Sequence, residues 1–345
     1  ARRRRRECRY RLLATIGPVV KAHSPSAAKQ RGMAIISALL IAAVVAVIAG
    51  GMLTRQTSFT RAVEAEQARI VAAGVLQGGL EYSRQLLWDA RQRDVLTRLD
   101  QAWARPIGDQ ALGGFNAGFQ GHLQDLQGKF NLRNLVFNQQ VDAGQLQSFQ
   151  QLCQLIGIDG ALGRRISQRV IASYPQRLQA PAATSSHGSF NSGRQTSAGA
   201  AAQTLAPRQP MLRSLDDLLG LEGVTPELLA RLEPYVSILP GNTWINGNTA
   251  SAEVLVAAVP GLDLSRARAL VAERDAGHWF INRGDFVNRL RLPQLQVDQI
   301  KVGITSEWFL LQGQARRDQR RVSLQALLHR PEDRMPQVIW SRVGA

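Results

Sequence analysis

Cysteine is almost missing: the 345 residues contain two, Cys8 and Cys153. That count alone excludes a disulfide scaffold and a cysteine-based metal site. Histidine is sparse as well. The five residues (His23, His122, His187, His278 and His329) are scattered, with no H-E-x-x-H and no pair at helical ligand spacing. Neither G-x-S-x-G nor a phosphate-binding P-loop occurs. The short acidic pairs Asp216–Asp217 and Glu332–Asp333 read as a helix first turn and a solvated loop, not as acid/base pairs. An enzyme is therefore the least supported class. Charge is missing from one long stretch: nothing between Arg31 and Arg55 is ionised.

That uncharged run, Gly32 to Thr54, is long enough to span a bilayer as a helix, which needs about 20 residues. It exceeds the apolar core of a cleavable secretory signal, about 7–15 residues, and "GGMLTRQ" after it is a poor small-residue cleavage site. Basic residues lead into it. Of the formal charge of +16, residues 1–32 hold +9, which leaves +7 for the remainder. The positive-inside rule then keeps the N-terminus cytoplasmic and exports the rest. The basic run reads as a cytoplasmic flank rather than a nucleic-acid arm. Cys8 and Cys153 fall in different compartments on this reading and do not pair.

The helical pattern continues beyond the apolar run. Phe59, Val63, Ile70, Ala73, Leu76, Leu80 and Leu87 follow helical spacing, whereas Glu64, Glu66, Arg69 and Arg84 lie largely off that stripe. The expectation is one long helix, apolar all round in its first half and amphipathic in its second. Gly74, Gly78 and Gly79 each weaken it by about 1 kcal/mol relative to alanine.

Further on, Phe119–Leu126 reads as a strand and "DLQGKFNLRNL" (Asp125–Leu135) as a turn region. A helical region follows over Gln145–Tyr174. Pro175–Pro210 is rich in Ala, Ser, Gly, Gln and Pro, lacks any Asp or Glu, and is expected to be a mobile loop. Two later units resemble each other: "LEGVTPELLARL" (Leu221–Leu232) and "VPGLDLSRARAL" (Val259–Leu270). Thr225, Asp263 or Ser265, and Thr249 or Ser251 suit N-cap positions, and Pro226 suits a first helical turn. Trp244, Trp279 and Phe280 read as core of this helical part. Three strands close the chain: Glu307–Arg316, Arg321–Arg330 and Gln337–Val343, the first two joined at Arg317–Arg320 as a hairpin.

The paired units resemble the helix-hairpin-helix pattern, whose hairpin N–H groups can hold DNA phosphates. A membrane-anchored, exported DNA-binding protein is thus the alternative reading. Against it, Asp263 stands where "PGLDLSRA" would need the second hairpin glycine, and the first unit also lacks that glycine. A carboxylate there repels phosphate and raises the cost of a positive φ. A packing module without nucleic-acid affinity is favoured.

A basic leader ending in glycine directly before a retained apolar run resembles type IV pilins and the pseudopilins of type II secretion. With "DLQGKFNLRNLV", "LEGVTPELLARLEPYVSILPGNTWINGNTASAEVL", "RDAGHWFINRGDF" and "SEWFLLQGQ", the chain resembles the large minor pseudopilins of type II secretion, the protein K family, over nearly all of residues 29–345. The resemblance implies an α+β pseudopilin fold, with the long N-terminal helix on an antiparallel sheet and a large inserted all-α domain. The implied layout is a leader over 1–32, a transmembrane helix over 33–53, and amphipathic helix plus first strand over 54–134. The helical insertion would cover 135–300 and contain the 175–210 loop, and the closing strands would cover 301–345. It further implies prepilin peptidase cleavage between Gly32 and Met33 and N-methylation of Met33. The implied role is at the tip of the periplasmic pseudopilus, on the inner membrane, with minor pseudopilins I and J, and with minor pseudopilin H and the major pseudopilin as further neighbours. Most pseudopilins carry glutamate at the fifth mature position, where this chain has Ser37, expected to mark a tip subunit. Family members also hold calcium through an acidic loop. Ca²⁺ requires oxygen ligands that normally include carboxylates, and Pro175–Pro210 offers none, so no calcium or other cofactor is expected here.

Overall fold

The structure, a computed structural model, describes residues 28–111, 117–177, 204–317 and 320–344. The basic leader before Ala28, the centre of the expected 175–210 loop and the tip of the closing hairpin lie outside the described residues. The chain divides into two compact units, 1–66 and 67–345. Helix α1 is assigned to Ala28–Arg93. In the first unit its apolar side chains, Ile36, Leu39, Leu40 and Val47 among them, are exposed on every side. An 18-residue window there reaches a mean hydropathy of 2.8 with none of it buried, and the helix is long and apolar enough to cross a membrane.

The second unit holds a five-stranded antiparallel sheet. Its strands are β1 (Ile107–Ala111), β2 (Ala117–Asp125), β3 (Trp308–Arg317), β4 (Arg320–His329) and β5 (Gln337–Gly344), side by side in that order. Period-two alternation puts Phe119, Leu123, Phe309, Leu311, Ala315, Leu324, Ala326 and Leu328 on one face. There they pack on Ala72, Val75, Leu76, Leu80 and Leu87 of the helix. The buried stripe is therefore turned from the expected one: Ile70 and Ala73 are exposed, and Ala72 and Val75 replace them. Close approach at Gly79 explains the rotation. A Cβ there would overlap the Phe119 ring, as would one at Gly313 of β3. Glycine at these two places lets the helix backbone, the strand and a fully buried phenylalanine share one layer. Strand β1 was not legible as a strand, because "IGDQA" carries too few apolar residues to alternate.

Between β2 and β3 runs the helical insertion: α2 (Ala143–Leu155), α3 (Gly160–Ile171), α4 (Pro226–Leu232), α5 (Ala252–Ala258), α6 (Leu264–Asp275) and α7 (Arg283–Leu290). The helical region expected over Gln145–Tyr174 is two helices. Gly157, at φ +72°, breaks it, and the Asp159 carboxylate restarts it by accepting from the N–H groups of Ala161 and Leu162 at 2.9 and 3.2 Å. A separate apolar core built on Phe130, Phe149, Leu152, Ile166, Leu255 and Phe286 fills the insertion. Phe280 belongs to this core, but Trp244 is 47% exposed, contrary to expectation. Its ring lies under the Arg283 guanidinium, 4.1 Å from the centroid, at the surface rather than inside.

Candidate functional site

The most heavily built part of the second unit is the polar junction where the insertion leaves and rejoins the sheet. The chain leaves after Asp125, at the end of β2, and returns at Ser306, just before β3. The Asp125 carboxylate is buried and accepts four hydrogen bonds. They come from Ser306 Oγ (2.6 Å), Thr249 Oγ1 (2.6 Å), Asn246 Nδ2 (3.2 Å) and the Gln127 N–H (2.8 Å). Asn246 also donates to Ser306 Oγ (2.7 Å) and to the Thr97 carbonyl (3.1 Å). Thr97 Oγ1 accepts from the Ser306 N–H (3.0 Å) and from Arg330 Nη2 (2.6 Å), which also reaches the Ser306 carbonyl at 2.7 Å. Five segments distant in sequence thus meet in one buried network. Burial raises the Asp125 carboxyl above the ordinary carboxylate value, and the four donors oppose that rise. Burial lowers Arg330 to about 10, while the Asp125 charge pulls it back up.

A second arm fixes the turn "INGNT" inside the insertion. Asn248 accepts from the Phe280 N–H at 2.8 Å and donates to the Phe280 carbonyl at 2.9 Å. The buried Arg274 donates to the carbonyls of Gly247 (3.0 Å) and Ala250 (2.6 Å). Gln127 bridges the Trp244 carbonyl (3.2 Å) and the Glu307 N–H (2.6 Å). The motifs quoted above from "DLQGKFNLRNLV" and "INGNTASAEVL" are therefore the two halves of one joint. Buried amides and a carboxylate linked by this many hydrogen bonds hold a single geometry. The joint's chemistry is positional: it sets how the insertion sits on the sheet.

Lys129 lies beside this joint. Its ammonium donates to the Glu233 carbonyl (2.6 Å) and to Gln124 Oε1 (3.1 Å), yet burial lowers it to about 8. An unfolded lysine stays protonated up to about 10.4. Between these values the unfolded chain binds the extra proton, so this residue's contribution to stability rises with pH. The rise is expected to total about 3 kcal/mol. Denaturant titrations of wild type and Lys129→Met across pH 7.5–10.5 check it. Parallel pH profiles for the two proteins would refute the assignment.

The hairpin units show why phosphate is a poor ligand. In the second unit Gly261 takes the positive φ, +79°, and Asp263 sits at φ −84° as the N-cap of α6. The expected backbone strain at Asp263 is therefore absent; the reading was wrong on that point. The electrostatic argument remains. The Asp263 carboxylate accepts from the Arg266 N–H (2.9 Å) and from Ser265 Oγ (2.7 Å), and these bonds hold it below the ordinary carboxylate value. The hairpin thus carries its own negative charge at the start of α6, which repels a phosphate. Thr225 caps α4 as expected, and Ser251 caps α5, which leaves Thr249 free for Asp125.

Among the described residues no group of three or more His, Cys, Asp or Glu is placed to hold a metal. Asp217 completes a capping box, accepting from the N–H groups of Arg213 and Ser214, and Glu222 lies 3.7 Å from Arg165. Cys153 is buried, and burial pushes its thiol up to about 12, away from reactive thiolate. In the first unit, Gly32 and Met33 lie within α1, Met33 is exposed, and Ser37 Oγ donates to the Ala34 carbonyl at 3.0 Å.

A helix with an apolar leading half, a five-stranded antiparallel sheet, and a helical module spliced between two of its strands define a pseudopilin-type protein. Two family profiles, each described as type II secretion system (T2SS), protein K, match residues 128–241 and 245–305, which is the insertion itself. The chain is 26% identical over 328 residues to type II secretion system protein K of Pseudomonas aeruginosa, covering 91% of this chain and 93% of that one. It is 26% identical over 275 residues to the protein of the same name from Aeromonas hydrophila, covering 74% and 79%. Its fold matches a chain in the crystal structure of the GspK-GspI-GspJ complex from enterotoxigenic Escherichia coli. That match has a TM-score of 0.62 at 19% identity and covers 82% of this chain and 99% of that one. The chain belongs to the type II secretion system protein K family, a family of structural pseudopilins.

Proposed function

We propose that the chain is the tip subunit of a type II secretion pseudopilus, starting or capping its assembly with minor pseudopilins I and J so that folded proteins leave across the outer membrane. The observation that carries this reading is the match of residues 128–241 and 245–305 to the protein K profiles, supported by a fold likeness over 82% of this chain to a chain of the GspK-GspI-GspJ complex. The apolar half of α1 would anchor the chain once in the inner membrane, N-terminus cytoplasmic, until it enters the filament. Prepilin peptidase would cut between Gly32 and Met33, and Met33 would carry the methyl group. The reading requires no calcium and no nucleic acid.

Ser37 fits this place. A carboxylate in hydrocarbon is costly unless paired. A subunit with no earlier neighbour cannot pair it, whereas the Ser37 hydroxyl is satisfied by its own helix at Ala34. The test is co-expression of the full chain with its cognate I and J proteins, followed by affinity capture and size-exclusion chromatography in detergent. A stable ternary complex is expected, and Ser37→Ala should leave processing and complex yield unchanged. Failure to capture I or J, or submicromolar affinity for duplex DNA at physiological salt, would reverse the ranking against the DNA-binding alternative, since non-specific binding lies near 10⁻⁴–10⁻⁶ M.

A further inference from the structure

The face of the sheet turned away from α1 is unusual in charge. Alternation places Gln120, His122 and Gln124 of β2, Gln312 and Gln314 of β3, and Gln325 of β4 on it, with no carboxylate on that face of β2–β5. Arg316, Arg321 and Arg342 share this face, are exposed, and have no acidic partner among the described residues. Arg342 instead lies 5.0 Å from the centroid of the Trp340 ring. Beside these cations runs a groove of about 410 Å³ between sheet and insertion, floored by Leu310, Leu327 and Trp340, with Leu219, Asp216 and Glu233 on the insertion side, so the carboxylates near this face belong to the insertion and not to the strands.

Strand β5 borders that groove and ends the sheet. All but one of its eight residues are exposed, so neither face of it is covered. Val338 and Val343 stand on the α1 side, beyond the helix, 37% and 64% exposed. A free strand edge offers a row of unpaired N–H and C=O groups, and only another extended backbone satisfies all of them. Native edges of this length are normally blunted or covered. A second copy is a poor cover, because β5 against β5 adds another Arg342 and no carboxylate to answer these cations. Lipid headgroups or nucleic acid would answer the charge but not the backbone row or the valines.

From this geometry we infer that β5 is a docking edge for an extended segment of a partner protein in which apolar and acidic residues alternate. The partner strand adds to the sheet as a sixth strand. Its apolar side chains continue Val338 and Val343, and its carboxylates meet Arg342 and Arg321. This inference uses only the second unit and stands apart from the assignment of I and J as assembly partners.

The probe is a capped, fluorescent eight-residue peptide of alternating valine and glutamate, titrated into the full chain in uncharged detergent and read by anisotropy. Saturable binding is expected, weakened at least tenfold by the double substitution Arg321→Glu/Arg342→Glu. The counterpart peptide with lysine for glutamate should bind the double variant and not the wild type. Hydrogen exchange on the wild type gives an independent readout: the peptide should slow exchange of β5 amides at least tenfold and leave β1 unchanged. Absence of saturation up to millimolar peptide, equal affinity for the folded double variant, or unprotected β5 amides would overturn the inference. So would displacement of the peptide by single-stranded oligonucleotide or anionic vesicles of matched charge. If the double variant does not fold, the wild-type exchange experiment decides alone.

Discussion

Asp125→Ala is expected to lower the melting temperature of the chain by roughly 6–20 °C. The carboxylate accepts four hydrogen bonds in a buried site, and alanine leaves Asn246, Thr249 and Ser306 facing a void. Hydrogen bonds to a charged group contribute about 1.5–3 kcal/mol each, and a buried network that loses one member strands the others. Partial rearrangement limits the net loss to about 3–5 kcal/mol, the cost typical of breaking a buried charged interaction. For a unit of this size each kcal/mol shifts the midpoint by about 2–4 °C. Asp125→Asn should cost less. Its amide keeps one acceptor oxygen, and the Thr249 hydroxyl can turn to accept from its NH₂. The two variants together separate loss of the joint from simple loss of charge. A shift under about 2 °C for the alanine variant, measured by scanning calorimetry in detergent, would mean that the joint does not hold the insertion to the sheet.

The joint also marks the boundary of what could be read beforehand. The sheet strands β2 to β5 are legible because alternation is a local signal: β3, β4 and β5 fall within one residue of expectation at either end, and β2 begins two residues earlier than Phe119. The caps at Thr225 and Ser251 were legible for the same reason: a hydroxyl before a helix acts on N–H groups a few residues away. The "DLQG" and "INGNT" blocks stood out as patterns, but their meaning did not. Asp125 and Asn246 are 121 residues apart, and Thr97 and Arg330 are 233 apart. No periodicity connects such positions; only the fold does. Arg330 in particular reads as the last residue of a strand, whereas it lies buried just past β4, donating to Thr97 and Ser306 with its guanidinium over Phe309. The rotated stripe on α1 failed for a related reason. Hydrophobicity favoured Ile70, but the close approach at Gly79 chose the face.

Gly32→Asp is expected to abolish maturation of the chain and, with it, secretion by the whole apparatus. The proposed processing site lies where a strongly basic leader meets an uncharged run, and Gly32 is the last residue before Met33. Glycine suits a scissile position in two ways. It presents no side chain to the peptidase, and it costs the helix about 1 kcal/mol relative to alanine, so the segment unwinds more readily there. Aspartate fills the space next to the cleaved bond. It also sets a charge at the edge of the apolar run, where deeper insertion would cost up to about 2.5–3.5 kcal/mol. Gly32→Ala, which adds only a methyl group, should slow processing without stopping it. Mass spectrometry of the membrane-extracted protein reads both effects. Wild type should begin at methylated Met33, Gly32→Asp should retain the leader, and exported enzymes should remain in the periplasm of cells that carry the variant. A leader retained on the functional wild-type protein, or an aspartate variant that still begins at Met33, would place the processing site elsewhere. The first of those results would also remove the pseudopilin account of Ser37, because position five is counted from that cut.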